Sequence, residues 1–136
     1  GAFASWNPGV YTYQKSRIEQ LLAHDKTLKR TTDTTIFPTA ACNFRNVCCY
    51  KHRDTENLAF GWCAITALGR FDHTKGGHLI LWELKLIIEF PHGYTILIPS
   101  ATITHSNIPV SDGDVRVSIT QYCAGSILRY VDNGFR

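Results

Sequence analysis

A histidine and a carboxylate stand two residues apart in Tyr50-Lys51-His52-Arg53-Asp54-Thr55-Glu56-Asn57. In extended chain, side chains at i and i+2 leave the same face, so an imidazole nitrogen and a carboxylate oxygen can converge on one point. Joined by a second histidine, such a pair completes a two-histidine, one-carboxylate face. That donor set holds divalent iron while leaving coordination positions open. A lone H-x-D is common by chance, so the chemistry depends on partners elsewhere in the chain.

Five other histidines are available. His24 falls in a helical stretch, and His73 and His92 sit in turn-like segments. His78 opens a strand on its otherwise apolar face and reads as a satisfied core histidine rather than a ligand. His105 lies in Thr104-His105-Ser106-Asn107, a short strand before a proline-containing loop. Further on, Val115, Val117 and Ile119 alternate with Arg116, Ser118, Thr120 and Tyr122. The apolar set should pack outward, against an N-terminal helix, and the polar set should look into the interior. A cationic, hydroxyl-rich inner wall is costly unless an anionic or polar ligand occupies the space. The guanidinium of Arg116 matches a carboxylate bidentately.

These residues must be positioned by a chain of 136 residues, enough for a single core. Hydrophobic content of 44% and charged content of 18% describe a globular protein. No apolar run is long enough to span a bilayer, so no membrane association is expected. Gly1-Ala2-Phe3-Ala4-Ser5 has neither the basic nor the apolar region of a secretory signal, and there is no methionine. The expectation is an excised or truncated domain. Five cysteines, with no C-x-x-C spacing, suit a reducing intracellular setting better than a disulfide framework. A net charge of +3 permits a polyanionic partner without demanding one.

Trp6-Asn7-Pro8-Gly9 is a turn signal, after which Tyr11, Ile18, Leu21 and Leu22 trace the stripe of an amphipathic helix. Residues 25–35 are polar and basic, a solvated loop or a basic rim. From Ile36 strand character takes over. Strands are predicted over 37–43, 47–52, 59–68, 78–90, 94–98, 103–106 and 115–123, divided by Gly- and Pro-containing turns. Within 78–90, Ile80, Trp82, Leu84, Leu86, Ile88 and Phe90 share one parity, which predicts a long strand, bent in the middle, with that face buried. Many short strands so divided predict a sandwich or barrel.

The ordered set resembles Fe(II)/2-oxoglutarate-dependent dioxygenases: His52-x-Asp54, distal His105, and Arg116-x-Ser118 after it. Gly76-Gly77-His78-Leu79 resembles that superfamily's Gly-Gly step before a core strand. Lys51 to Asp54, Gly61-Trp62-Cys63-Ala64-Ile65, Thr74 to Leu79, Ile98-Pro99-Ser100, His105-Ser106-Asn107 and Val131 to Phe135 are more closely similar to TET/JBP-like domains of mushroom-forming (basidiomycete) fungi, often transposon-associated. The resemblance covers nearly the whole chain from Ala4. It implies a mainly β, double-stranded β-helix (jelly roll) fold with an N-terminal supporting helix. One domain over 1–136 is expected, with helical support in 1–30, the jelly-roll core in 36–123 and a C-terminal segment in 124–136. It further implies that His52, Asp54 and His105 bind Fe(II). Arg116, assisted by Ser118, would hold the distal carboxylate of 2-oxoglutarate, with O2 as co-substrate.

Asn57 reads as a turn cap or as a contact to 2-oxoglutarate or to the ligands. Asn43, Tyr50, Arg53 and Tyr122 are candidates for substrate contact. Trp62 and Trp82 read as core. Lys26, Lys29, Arg30, Lys51 and Arg53 read as solvated charges or phosphate contacts. The implied function is oxidation of a methylated nucleobase, 5-methylcytosine and next N6-methyladenine, as in DNA demethylation. The expected partner is nucleic acid, no obligate protein partner is evident, and the expected location is intracellular and nuclear. Alternatives are hydroxylation of a protein or small molecule by the same machinery, and a degenerate transposon-borne binding domain.

Overall fold

The structure, a computed structural model, describes all 136 residues. Two helices come first, α1 (Ala2–Trp6) and α2 (Pro8–His24). Asn7 separates them and caps α2, its side chain accepting from the Val10 N–H, while Pro8 occupies the first turn, where its missing N–H costs nothing. Seven strands follow: β1 (Thr39–Asn43), β2 (Cys63–Arg70), β3 (Leu79–Leu81), β4 (Leu86–Ile88), β5 (Thr95–Ile98), β6 (His105–Asn107) and β7 (Val115–Tyr122). A last helix, α3, spans Gly125–Asp132. The strands form a four-stranded sheet, β1-β7-β2-β5, and a three-stranded sheet, β4-β3-β6, with every pairing antiparallel.

The main core lies between the sheets: Cys63 and Ala67 of β2 and Ile98 of β5 meet Leu79 and Leu81 of β3 and Phe90. The alternate residue of β2, Ala64, faces away and is covered by Phe3, Ile36 and Phe37. Phe3 stacks on Trp62 and Phe37, so the short α1 is held by aromatic contact. A third cluster of Ile18, Leu58, Cys123 and Leu128 ties α2 and α3 to the barrel. Burial pushes the Cys63 thiol up to about 11 and Cys123 up to about 12, so both are neutral and pack as small apolar groups.

Four expectations are corrected. The apolar residues of 78–90 do not form one bent strand: the chain reverses completely at Trp82-Glu83-Leu84-Lys85, with Lys85 at φ 53, and returns as β4. The buried parity is then that of Leu79 and Leu81, and Trp82 is 42% exposed rather than core. Residues 47–51 are not a strand. They run beside β6, where the Asn107 side chain replaces ladder bonds by accepting from the Cys49 N–H and donating to the Val47 carbonyl. The outward face of β7 is not covered by the N-terminal helix, since α2 docks nearer Cys123 and leaves Val115 49% exposed. The helix stripe also includes Gln14, fully buried because its amide donates to the Ile36 carbonyl at 3.1 Å.

Candidate active site

His52 reaches the site through a single antiparallel bridge to His105 of β6. Directly paired residues in such a bridge send their side chains to the same face. The two imidazoles accordingly lie with ring centroids 4.4 Å apart. Asp54, two residues on, joins them from the same side: His52 Nε2 is 3.4 Å from its Oδ1, and His105 Nε2 is 3.9 Å from its Oδ2. One ligand atom from each of the three lies within 4.8 Å of the others, a donor set suited to a metal ion.

Both rings are oriented by the backbone. His52 Nδ1–H donates to the Tyr50 carbonyl at 2.7 Å, and His105 Nδ1–H donates to the Ile103 carbonyl at 3.0 Å. With Nδ1 engaged by the backbone, each Nε2 is the ring nitrogen left on the Asp54 side to act as a metal ligand. Asp54 is held in turn. Its N–H donates to the Ser100 carbonyl at 2.9 Å, and the Asn57 amide donates to its Oδ2 at 3.4 Å and to Ser100 Oγ at 3.1 Å.

Arg116 lies on the inward face of β7, only 6% exposed. Asn43, Ser118 and Ala67 share one cross-strand row, and Ala41, Thr120 and Ile65 the next, so the polar parity of β7 does look inward. The Arg116 guanidinium sits between the Phe90 ring at 5.7 Å and the Phe71 ring at 5.9 Å. No carboxylate pairs with it, and its Nε is buried without a hydrogen-bond partner. Burial lowers its pKa, the Cys49 thiol opposing weakly. Gly77 packs against Arg116 at φ +75, where a Cβ would stand 3.1 Å from Arg116 Cδ and 3.2 Å from the Phe71 ring. Its neighbour Gly76 lies so close to Pro109 that a Cβ would meet the carbonyl oxygen at 2.5 Å.

One cavity of about 510 Å³ is lined both by His52, Asp54 and His105 and by Arg116 and Ser118, which β7 brings from the larger sheet. Asn43, Arg53, Asn57 and Tyr122 also line it. Tyr50 does not: its ring is 91% exposed, because its carbonyl is turned inward to His52 and its side chain outward. Asn57 is engaged with Asp54 and Ser100. His24 stacks on Phe135, His73 pairs with Glu89, and His92 accepts from the Gly69 N–H, so none of these joins the triad. His78 stays out of it too, but it is half-buried with Nδ1 unpartnered rather than a satisfied core residue. Of the basic residues, Arg30 bonds the Thr35 carbonyl and pairs with Glu19.

Residue types alone did not reveal Ser100, Asn46 or Asn107. Asn46 accepts from the Arg116 N–H at 2.5 Å and donates to the Asp114 carbonyl at 2.8 Å. Together with Asn107 it ties residues 46–49 to β6 and β7. The only local signal was the pair of asparagines beside turns, where such side chains favour backbone bonding.

No family model matches the sequence, and no curated protein matches it. Solved structures do. NgTET1 in complex with 5mC DNA superposes with a TM-score of 0.58 at 16% identity, over 90% of this chain and 54% of that one. The chain thus spans about half the length of that neighbour. Two structures of the viral collagen prolyl hydroxylase vCPH from Paramecium Bursaria Chlorella virus-1, one a 2OG complex, reach TM-scores of 0.44 and 0.45 at 16% and 14% identity. They cover 80% of this chain and 69% and 65% of theirs, a resemblance of general outline. With its two facing antiparallel sheets, the chain has the jelly-roll fold expected from its sequence, in the form shared with NgTET1.

Proposed function

We propose that the chain is an Fe(II)- and 2-oxoglutarate-dependent dioxygenase that oxidises a methylated nucleobase in nucleic acid, with 5-methylcytosine first and N6-methyladenine next. One observation carries the cofactor assignment: three converging metal ligands and a buried, unpaired guanidinium line the same cavity. The donor chemistry fits iron, because two imidazole nitrogens and one carboxylate converge on the wall of a cavity and would hold the ion there. A buried guanidinium without a counter-ion is costly, and a carboxylate ligand removes that cost.

His52, Asp54 and His105 would hold the iron, and Arg116 with Ser118 would take the distal carboxylate of 2-oxoglutarate. When bound, this pair supplies an O2-driven oxidation that yields succinate and CO2 and hydroxylates a substrate C–H bond. The protein's own work is orientation. The Tyr50 and Ile103 carbonyls fix the imidazoles, Asn57 and Ser100 fix Asp54, and Phe71, Phe90 and Gly77 fix Arg116. Ile65, Leu79 and Phe90 give the cavity apolar walls.

The substrate assignment draws on two supports. The fold likeness is to a protein solved with 5mC DNA. Residues 44–53 also expose Arg45, Lys51 and Arg53 alongside Phe44 and Tyr50, cations for phosphates and rings for bases. Asn43 and Tyr122 inside the cavity would meet the edge of an extruded base. We read the chain as a TET/JBP-like dioxygenase of mushroom-forming fungi, transposon-associated and acting in the nucleus; the ordered motifs support the family part of that reading.

The test is incubation with Fe(II), ascorbate, 2-oxoglutarate and 5-methylcytosine DNA, followed by succinate assay and mass spectrometry of the nucleosides. Hydroxymethyl, formyl or carboxyl products are expected. Turnover on peptides with no oxidised base would refute the nucleobase assignment and leave the cofactor assignment intact.

A further inference from the structure

Beside the inward-facing His52 and His105, their neighbours Lys51, Thr104 and Ser106 all reach one hairpin turn. Trp82 and Glu83 stand there, between β3 and β4, and neither lines the cavity. The Trp82 N–H donates to the Thr104 carbonyl at 3.0 Å, and its indole N–H donates to Ser106 Oγ at 3.1 Å. Glu83 Oε2 accepts from the Thr104 N–H at 2.8 Å, and its Oε1 accepts a short hydrogen bond from the Thr104 hydroxyl. Both neighbours of His105 are thus gripped. On the other segment, Lys51 places its ammonium 4.3 Å from the centre of the Trp82 ring. Thr104 holds the Glu83 carboxyl below its ordinary value, with Arg53 adding a smaller Coulombic pull.

Such a grip has a physical use. β6 is three residues long, and His52 joins it by one isolated bridge, so little regular sheet supports either imidazole. A metal site needs its ligands held to within about 0.5 Å. We infer that Trp82 and Glu83 are positioning residues that latch the His52 and His105 segments together and so set the affinity for the metal. This inference rests on the proposed metal site. It also accounts for a tryptophan left 42% exposed in a sequence pattern that predicted burial.

The test compares Trp82→Phe, Glu83→Gln and the double variant with the parent protein. Co(II) affinity is read by calorimetry and visible absorption, and melting is measured without metal. Trp82→Phe keeps an aromatic ring beside Lys51 and removes the indole N–H bond. We expect each single variant to bind Co(II) on the order of tenfold more weakly, as loss of outer support does at other metal centres. Metal-free melting should stay within roughly 2 °C of the parent, because both groups are solvent-facing. Equal Co(II) affinity in parent and variants would overturn the latch, as would a loss that merely follows lowered metal-free melting. A parent that takes up no Co(II) would overturn the metal site itself, and the latch with it.

Discussion

His52 and His105 exchange backbone hydrogen bonds in both directions, His52 N–H to the His105 carbonyl at 3.0 Å and His105 N–H to the His52 carbonyl at 2.9 Å. This single pairing does two jobs. It joins an irregular strap to the smaller sheet, and it sets two imidazoles side by side with Asp54 beneath them.

The first expected consequence is loss of metal. His52→Ala or His105→Ala removes one of three ligands and should abolish Co(II) or Fe(II) uptake and iron-dependent succinate production. Calorimetry and a succinate assay check it. Retained uptake in both variants would place the metal elsewhere.

Metal should also stabilise the fold, because the three ligands are brought together only in the native state. At a hundredfold excess over the dissociation constant the gain is about 2.7 kcal/mol. That corresponds to a melting shift of several degrees for a chain of this size. Melting with Co(II) and then with excess chelator measures it, and coincident curves would count against the site.

Arg116→Ala should raise the 2-oxoglutarate requirement tenfold or more, following about 1.5–3 kcal/mol for hydrogen bonds to a charged group. Co(II) affinity should not move, since Arg116 is not one of the three ligands and stands on the other sheet from His105. An unchanged 2-oxoglutarate requirement would mean that another group holds the carboxylate.

Gly77→Ala should disturb the same end of the cavity. Its φ of +75 costs a non-glycine residue about 1–2 kcal/mol, and the added Cβ would crowd Arg116 Cδ and Phe71. A lower unfolding midpoint together with a higher 2-oxoglutarate requirement is expected. A variant altered in stability alone would show that Gly77 does not position Arg116.

Helices α2 and α3 are clasped at Asp132, which accepts from the Tyr13 hydroxyl at 2.5 Å and pairs closely with Arg17. Those partners, Tyr13 first, hold the Asp132 carboxyl below its ordinary value of 3.8. A depressed folded-state value means the stabilisation is present above 3.8 and disappears as pH falls through the lower folded value. Asp132→Asn should therefore melt below the parent at pH 7, with the gap closing in strong acid. A gap independent of pH would assign the effect to packing.

Local rules carried much of the site. His52-x-Asp54 and the alternation from Val115 to Tyr122 depend only on the two-residue period of extended chain, so both were legible residue by residue. The Gly76-Gly77 step was legible as a turn and through the family resemblance, and the structure adds its reason, a close backbone approach at Gly76 and a left-handed φ at Gly77. The fold class followed from the ordered motifs and the spacing of turns.

Other features depended on contacts between segments distant in sequence. The stretch from Ile80 to Phe90 has unbroken strand parity, yet it folds back at Lys85, and only packing against β2 and β5 selects Leu79 and Leu81 as the buried pair. Tyr50 looked like a cavity residue, but the bond from His52 Nδ1 turns its carbonyl inward and its ring out. The roles of Ser100, Asn46 and Asn107 rest on side chains bonding backbone far away in sequence, and no local period encodes such bonds. Sequence alone determined which atoms could bind a metal and an acid. The tertiary structure decided that they face one cavity, because only sheet register, set by the core as a whole, brings His52, His105 and Arg116 to a common side.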